Sequence, residues 1–261
     1  MGLMDGKVGL VVGIANERSY AWFIAETLKA EGATLAFTHL PGEKNERRTR
    51  RAVEALGIKD PWMVPLNAGS DTELDEAFAK YGQKFDRMDY LVHSIAFAET
   101  EWLQFGKFVE TPRSAYLSAI DISAYTLVAM ARRARPFMQK AGGGSIICMS
   151  YYGAEKVVPG YNVMGVAKAA LEASTRYLAA ELGGDKIRVN AISGGYLRTL
   201  AASAVQGTDT MGARNAERAP LRRNVEGADV GKTALYLLSD MASGVTGETI
   251  YVDCGVSLIG V

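Results

Sequence analysis

The sequence predicts an α/β fold, a doubly wound parallel sheet flanked by helices on both faces. Three observations carry that expectation. Short apolar runs rich in β-branched residues recur along the 261 residues, each is followed by a longer amphipathic stretch, and the two kinds alternate strictly. Such alternation needs crossover connections, which place helices on both faces of a parallel sheet. No internal repeat, low-complexity tract or linker interrupts the pattern, so residues 1–261 read as one domain of Rossmann type.

The elements follow in order. Lys7 to Val12 reads as the first strand, and Ser19 to Glu31 as a helix with Trp22, Phe23, Ala25 and Leu28 at helical spacing. Thr34 to Thr38 is a second strand, Glu43 to Leu56 a charged helix, Trp62 to Leu66 a third strand and Thr72 to Phe85 a helix. Asp89 to Ser94 is a fourth strand, followed by an irregular segment from Ala98 to Thr111. A long helix is expected from Ser114 to Ala141, broken near Pro136, before a glycine run and a fifth strand from Ser145 to Met149. Val163 to Leu182 is a further helix and Ile187 to Ile192 a sixth strand. Gly194 to Asp229 reads as mostly turn-like, Val230 to Ser239 as a helix and Thr249 to Val252 as the last strand.

Composition narrows the function classes. Lys+Arg and Asp+Glu are 29 each, so there is no basic surplus for nucleic acid. Both cysteines, Cys148 and Cys254, sit in apolar strand-like runs and read as buried free thiols. The only histidines are His39 and His93, and no cluster has metal-ligand spacing, so no metal is expected. The first residues lack the apolar core of a signal peptide, and no apolar run approaches the roughly 18–20 residues of a membrane span. A cytoplasmic, unprocessed protein without membrane contact is the expectation.

Two segments carry chemistry. The first strand ends in Gly13-Ile14-Ala15-Asn16-Glu17-Arg18-Ser19 and leads into a helix, where free backbone N–H groups and the helix dipole suit a dinucleotide pyrophosphate. The usual glycine fingerprint is missing, and the same residues also describe a plain turn with Asn16 and Ser19 as local caps. No acidic residue stands at the tip of the second strand, Thr38 to Lys44, so a choice between NADH and NADPH stays open. Further on, Ser150-Tyr151-Tyr152-Gly153 follows the fifth strand, and Tyr161 to Lys168 opens the next helix. Reductases on this fold pair a tyrosine with a lysine. The hydroxyl faces the oxygen that gains charge, and the lysine holds the nicotinamide ribose. Four residues before Lys168 stands Met164, which cannot act as an acid, so the candidate tyrosine is Tyr161, seven before the lysine. In a chain with 12 tyrosines that spacing also arises by chance.

Taken together, these segments resemble the enoyl-acyl carrier protein reductase family of the short-chain dehydrogenase/reductase superfamily, over nearly the whole chain. The family's Gly-x5-Ser-x5-Ala loop is matched by Gly13, Ser19 and Ala25, and its pattern after the fourth strand by His93-Ser94-Ile95-Ala96-Phe97-Ala98. Its Tyr-x6-Lys pair, with a second tyrosine ten residues earlier, is matched by Tyr161, Lys168 and Tyr151. Arg188 to Ser193 and Arg198 to Ser203 also look like the family.

The resemblance implies reduction of a trans-2-enoyl thioester on acyl carrier protein or coenzyme A, with NADH as cofactor and NADPH left open. It makes Tyr161, Lys168 and Tyr151 the catalytic residues. Cofactor contacts would come from Gly13, Ser19 and Tyr20, from Asn67 and Ala68, from Ser94, Ile95 and Ala96, and from Lys168, Leu197 and Thr199. Ala98, Tyr151, Tyr161, Met164, Ala201 and Ala202 would line the substrate. It also implies a homotetramer and a mobile lid at about 199–214.

Some positions depart from the family. Gly194-Gly195-Tyr196 stands where Ala-Gly-Pro is usual, which is expected to loosen the loop. Asn67 replaces an aspartate, Cys254 replaces a small residue, and the lid's basic residues have no clear counterpart among Gln206, Asp209 and Thr210, with Arg214 and Arg218 further on. Two other functions compete. Met164 and the seven-residue spacing count against a carbonyl or alcohol oxidoreductase. Retention of Tyr161 and Lys168 counts against a cofactor-binding protein without catalysis.

Overall fold

The computed structural model describes residues 2–199 and 208–260. Seven strands, β1 (Val8–Val12), β2 (Thr34–His39), β3 (Met63–Pro65), β4 (Tyr90–His93), β5 (Gly144–Ser150), β6 (Ile187–Gly194) and β7 (Thr249–Val252), form one sheet in the order β3-β2-β1-β4-β5-β6-β7. Every pairing is parallel. The chain therefore steps outward from β1 to β3 and crosses back to lay β4 on the other side of β1. That reversal opens a crevice at the carboxyl ends of β1 and β4, where ligands bind on sheets of this kind.

Helices α1 (Tyr20–Ala30), α2 (Glu43–Glu54), α3 (Asp71–Lys84), α4 (Arg113–Ile120), α5 (Thr126–Lys140), α6 (Asn162–Leu182), α7 (Thr208–Arg218) and α8 (Gly227–Leu238) connect the strands. Side chains alternate along a strand, so β1 sends Leu10 and Val12 into one core and Val11 into the other. The first core packs under α3, α5 and α6 through Leu74, Phe78, Leu127, Met130, Leu171 and Leu178. The second packs under α1, α2 and α8 through Ile24, Leu28, Val53, Val230 and Leu237. Each such buried side chain contributes roughly 1.5–3 kcal/mol. Arg133 of α5 reaches Asp71 at 2.9 Å and Asp75 at 2.7 Å, tying α5 to the start of α3.

Four expectations need correction. The long helix is interrupted at Asp121–Tyr125 by a π turn, not at Pro136, which lies inside α5. The extra residue aims two side chains: Ser123 bonds the Phe97 backbone, and Thr126 faces His93. The segment read as turn-like contains α7, whose Ala, Arg, Glu and Met residues favour helix without an apolar period. Helix α8 starts at Gly227 rather than Val230, because Glu226 and Asp229 form a reciprocal capping box. Cys148 is buried and free, but Cys254 is half-buried and lies past β7 in a left-handed turn organised by the Asp253 carboxylate.

Span length also needs amending. Arg113–Lys140 is long and apolar enough to cross a bilayer by length and composition, yet half of its most apolar window is buried within the fold, as in a core helix.

His93 ends β4 and is fully buried. Thr126 Oγ1 donates to the Ile122 carbonyl at 2.7 Å, so it accepts from His93 Nε2–H at 2.8 Å. Nδ1 then carries no proton and has no partner among the described residues. Burial, with the positive charge of Lys168, pushes the imidazole down to about 3 from 6.5. Below about pH 6.5 the unfolded chain binds a proton that the folded chain refuses, so stability falls as pH drops toward 3, by up to about 1.4 kcal/mol per unit. Urea titrations at several acidic pH values should show a shallower loss for His93→Gln than for the parent; equal slopes would remove His93 from the account.

Candidate active site

The crevice is closed first by backbone. Gly13 follows β1 with φ +105°, and a Cβ there would lie 2.1 Å from the Ser94 carbonyl oxygen beyond β4. Only glycine permits both the angle and the approach. The Ser19 hydroxyl accepts from the Ala15 and Asn16 N–H groups at 3.1 Å and donates to the Asn16 carbonyl at 2.7 Å. Asn16 accepts from the Arg18 N–H. Both side chains thus fold the loop, and Ser19 makes no side-chain cap to α1, contrary to the local-cap alternative. The first turn of α1 holds no acidic residue, so its positive end faces the crevice without an internal anion. The Ala15, Asn16, Arg18 and Ser19 donors are spent inside the loop, so the fit to a pyrophosphate rests on the N-terminus of α1 itself.

The double glycine at the end of β6 has a packing role that the sequence did not reveal. A Cβ on Gly194 would meet the Tyr20 ring at 2.8 Å, and one on Gly195 the Asp253 backbone at 2.9 Å. Gly195 donates to Val252 at 2.8 Å and accepts from the Tyr20 hydroxyl at 2.5 Å. Burial holds the Tyr20 hydroxyl far above its ordinary pKa, with Tyr151 adding to the shift. Tyr196 lies against α7, where a Cβ on Gly212 would come 3.0 Å from its ring.

Leu197 is half-buried and accepts from the Thr199 N–H at 2.7 Å. Ser94 and Ile95 are half-buried and Ala96 exposed. Asn67 is exposed beyond β3, accepting from Gly69, and Ala68 is buried. Of the expected lid, residues 200–207 lie outside the described residues, Ala201 and Ala202 among them, and the stretch from Thr208 is helical.

The catalytic candidates meet where β5 ends and α6 begins. The Tyr151 and Tyr161 rings touch edge to face with centroids 4.9 Å apart. Tyr161 packs on Gly153, where a Cβ would fall 2.5 Å from its ring, and Gly165 in turn admits the Gly153 carbonyl. Lys168 is buried and donates to the Met149 carbonyl at 2.7 Å. Burial lowers its pKa to about 8, with Cys148 and Glu172 pulling the other way. Burial pushes Tyr161 well above the ordinary phenol value, with Tyr151 adding to it. Burial and then Asp253 push Tyr151 up to about 12. At neutral pH both tyrosines are proton-bearing donors, and Lys168 is mainly a cation.

Beside them Ala98, Tyr161 and Met164 join Leu103, Ala119, Val163 and Ala167, with Tyr116 and Ile120, in a small apolar cluster. Sequence reasoning missed Leu103, Tyr116 and Ile120, which lie on elements read as irregular or simply helical. It also missed Asn162. That residue opens α6 at φ +44°, directly after Tyr161, and its amide donates to the Trp102 carbonyl at 2.8 Å and the Gln104 carbonyl at 2.7 Å. Asparagine is among the few residues that tolerate this angle, which was the available signal.

Comparison with known proteins points to one family. A family profile described as Enoyl-(Acyl carrier protein) reductase matches residues 13–257. The chain is 48% identical over 259 residues to the NADH enoyl-acyl-carrier-protein reductase FabI of Nostoc sp., covering 98% of each. It is 46% identical over 256 residues to the NADPH enzyme FabI of Staphylococcus aureus, again covering 98% of each. It superposes on the crystal structure of the Bacillus cereus enoyl-acyl carrier protein reductase, with NADP+ and indole naphthyridinone, at a TM-score of 0.95, with 45% identity and 100% of both chains covered.

Asn162 separates two contributions. Glycine keeps the left-handed angle and loses the amide bonds, whereas alanine loses both. Asn162→Ala should therefore unfold more readily than Asn162→Gly by about 1 kcal/mol. Equal denaturation midpoints would show that the angle carries no strain.

Proposed function

The chain belongs to the enoyl-(acyl carrier protein) reductase family, and on that premise we propose that it reduces 2-enoyl thioesters of acyl carrier protein, with Tyr161, Tyr151 and Lys168 at the reacting centre. The observation that carries the residue assignment is their convergence at the end of β5. A buried ammonium is held on the carbonyl of Met149, two residues before Tyr151, and the Tyr151 and Tyr161 rings meet edge to face. Met164, four before the lysine, is buried in the apolar cluster and offers no proton, which argues against the carbonyl-reductase alternative.

When bound, the dinucleotide would supply the hydride that adds to the β-carbon, and the enolate so left would take its proton at the α-carbon from solvent. The loop from Gly13 to Tyr20, Asn67 and Ala68, Ser94 to Ala96, Leu197 and Thr199 would hold it. NADH is the reductant proposed. The tip of β2, His39-Leu40-Pro41, carries no carboxylate to refuse the extra phosphate of NADPH. Lys168 spends one N–H on Met149 and keeps others for the ribose hydroxyls. As negative charge develops on the thioester oxygen, the Tyr161 hydroxyl donates to it, and the nearby ammonium favours that charge. Tyr151 backs the Tyr161 ring and lines the acyl site. The cluster of Ala98, Leu103 and Met164 excludes water from the first carbons of the chain.

We also propose a cytoplasmic homotetramer. Leu117, Tyr125 and Tyr177 expose apolar surface on α4, the π turn and α6 that a second copy would cover.

Oxidation of NADH by crotonyl-coenzyme A and by an enoyl-acyl carrier protein tests the activity, with a ketone as the contrasting substrate; turnover of the ketone alone would overturn the reading. Tyr161→Phe should lower turnover by roughly 10²–10³ while leaving cofactor affinity near the parent's. Tyr152→Phe should be milder. Turnover of Tyr161→Phe within about twofold of the parent would sink its role, since loss of such a donor costs far more. Lys168→Ala should clearly weaken cofactor binding in a fluorescence titration.

A further inference from the structure

Lys168 and Glu172 stand one turn apart on α6, and both reach the end of β5, yet they do not pair with each other. Among the described residues Lys168 makes no ion pair, and neither does Glu172. The ammonium goes to the Met149 carbonyl at 2.7 Å, and the carboxylate accepts from the hydroxyl of the next residue, Ser150, at 2.5 Å. Two consecutive residues of the strand are thus held by two consecutive turns of the helix. The next residue along the chain is Tyr151.

We propose that Glu172 and Ser150 are positioning residues for Lys168: the serine hydroxyl holds the carboxylate away from the ammonium, so that the charge of Glu172 sustains the cation without capturing the N–H groups meant for the ribose. The inference rests on the reading of Lys168 as the ribose-holding cation.

The physical argument follows from burial. A lysine in this position is pushed toward its neutral form by desolvation. The groups that face it are Cys148 from β5, His93 from β4 and Glu172 on its own helix. His93 is neutral at working pH and the Cys148 thiol is held well up by burial, so Glu172 is the one anion among them. Around Glu172 stand Ser150 from β5, Arg176 and Lys168 on α6, Glu155 from the turn after β5 and Tyr251 from β7. Burial and Glu155 disfavour its charge, and the Ser150 hydroxyl and Arg176 favour it. A direct ion pair with Lys168 would satisfy the same carboxylate at the expense of the donors the cofactor needs. Ser150 removes that competition.

The two residues therefore predict shifts of opposite sign. Cofactor binding to the parent should weaken as pH rises through about 8, where Lys168 loses its proton. Glu172→Gln keeps an acceptor for Ser150 and removes the charge, so the midpoint should move to lower pH by roughly half a unit or more. Ser150→Ala frees the carboxylate to close on Lys168. Its midpoint should move to higher pH while affinity at pH 7 falls several-fold, and Ser150→Thr should restore both. A helix staple without electrostatic purpose would move neither midpoint.

The experiment is a fluorescence titration of NADH against pH for the parent, these three variants and Lys168→Ala. Opposite shifts with threonine rescue support the proposal. Shifts of the same sign, or none, overturn it while Lys168→Ala still loses binding. Unchanged binding in Lys168→Ala overturns the reading of the lysine, and the proposal with it. Should Glu172→Gln fail to fold, Ser150→Ala and its rescue decide alone.

Discussion

Everything at the carboxyl edge of the sheet depends on one costly arrangement, an ammonium buried against a strand. A lysine leaves water only where a fixed acceptor and a compensating charge are supplied. The acceptor is the carbonyl of Met149, near the end of β5, so α6 must lie on that strand with little freedom. That seating in turn demands a bare Gly165 where the first turns of α6 pass the Gly153 carbonyl. It also starts the helix at Asn162, whose left-handed backbone turns Tyr161 toward Tyr151. The catalytic geometry is therefore a consequence of how one helix is docked.

The same logic of close approach governs the cofactor side. Gly13 lets the loop after β1 rest on the backbone beyond β4, and Gly194 and Gly195 let the end of β6 and the residue after it rest on Tyr20 and on Asp253. Segments beyond β1, β4, β6 and β7 are held close by the absence of side chains. The Tyr20 hydroxyl then joins two of them through a single bond.

These facts explain what was legible in the sequence. Strands were readable because a parallel sheet buries both faces and so demands unbroken apolar runs, as in Val8 to Val12. Tyr151, Tyr161 and Lys168 were readable from spacing within a resemblance that covers the chain. Asn162, Gly153 and Glu172 were not, because their work lies in contacts with Trp102, Tyr161 and Ser150 that no local pattern records. The π turn was not legible because it has no breaker residue of its own, whereas Pro136, the familiar helix breaker, lies inside α5. Helix α7 escaped because its residues favour helix without forming an apolar stripe.

The π turn at Asp121–Tyr125 also sets a rule of length. In an α-helix, one residue added or removed rotates everything beyond it by roughly 100°. The wide turn absorbs such an extra residue, and both sides of it are anchored. Ser123 grips the Phe97 backbone, Thr126 meets His93, and two turns later Arg133 grasps Asp71 and Asp75. Deleting one residue here would restore a regular helix with Arg133 still in phase, and the cost would fall on Ser123 and Thr126, the side chains that the wide turn aims. Between Arg113 and Lys140 the chain can therefore vary in identity far more freely than in number. Outside the wide turn, a gain or loss in that stretch survives only with a second one that restores the phase.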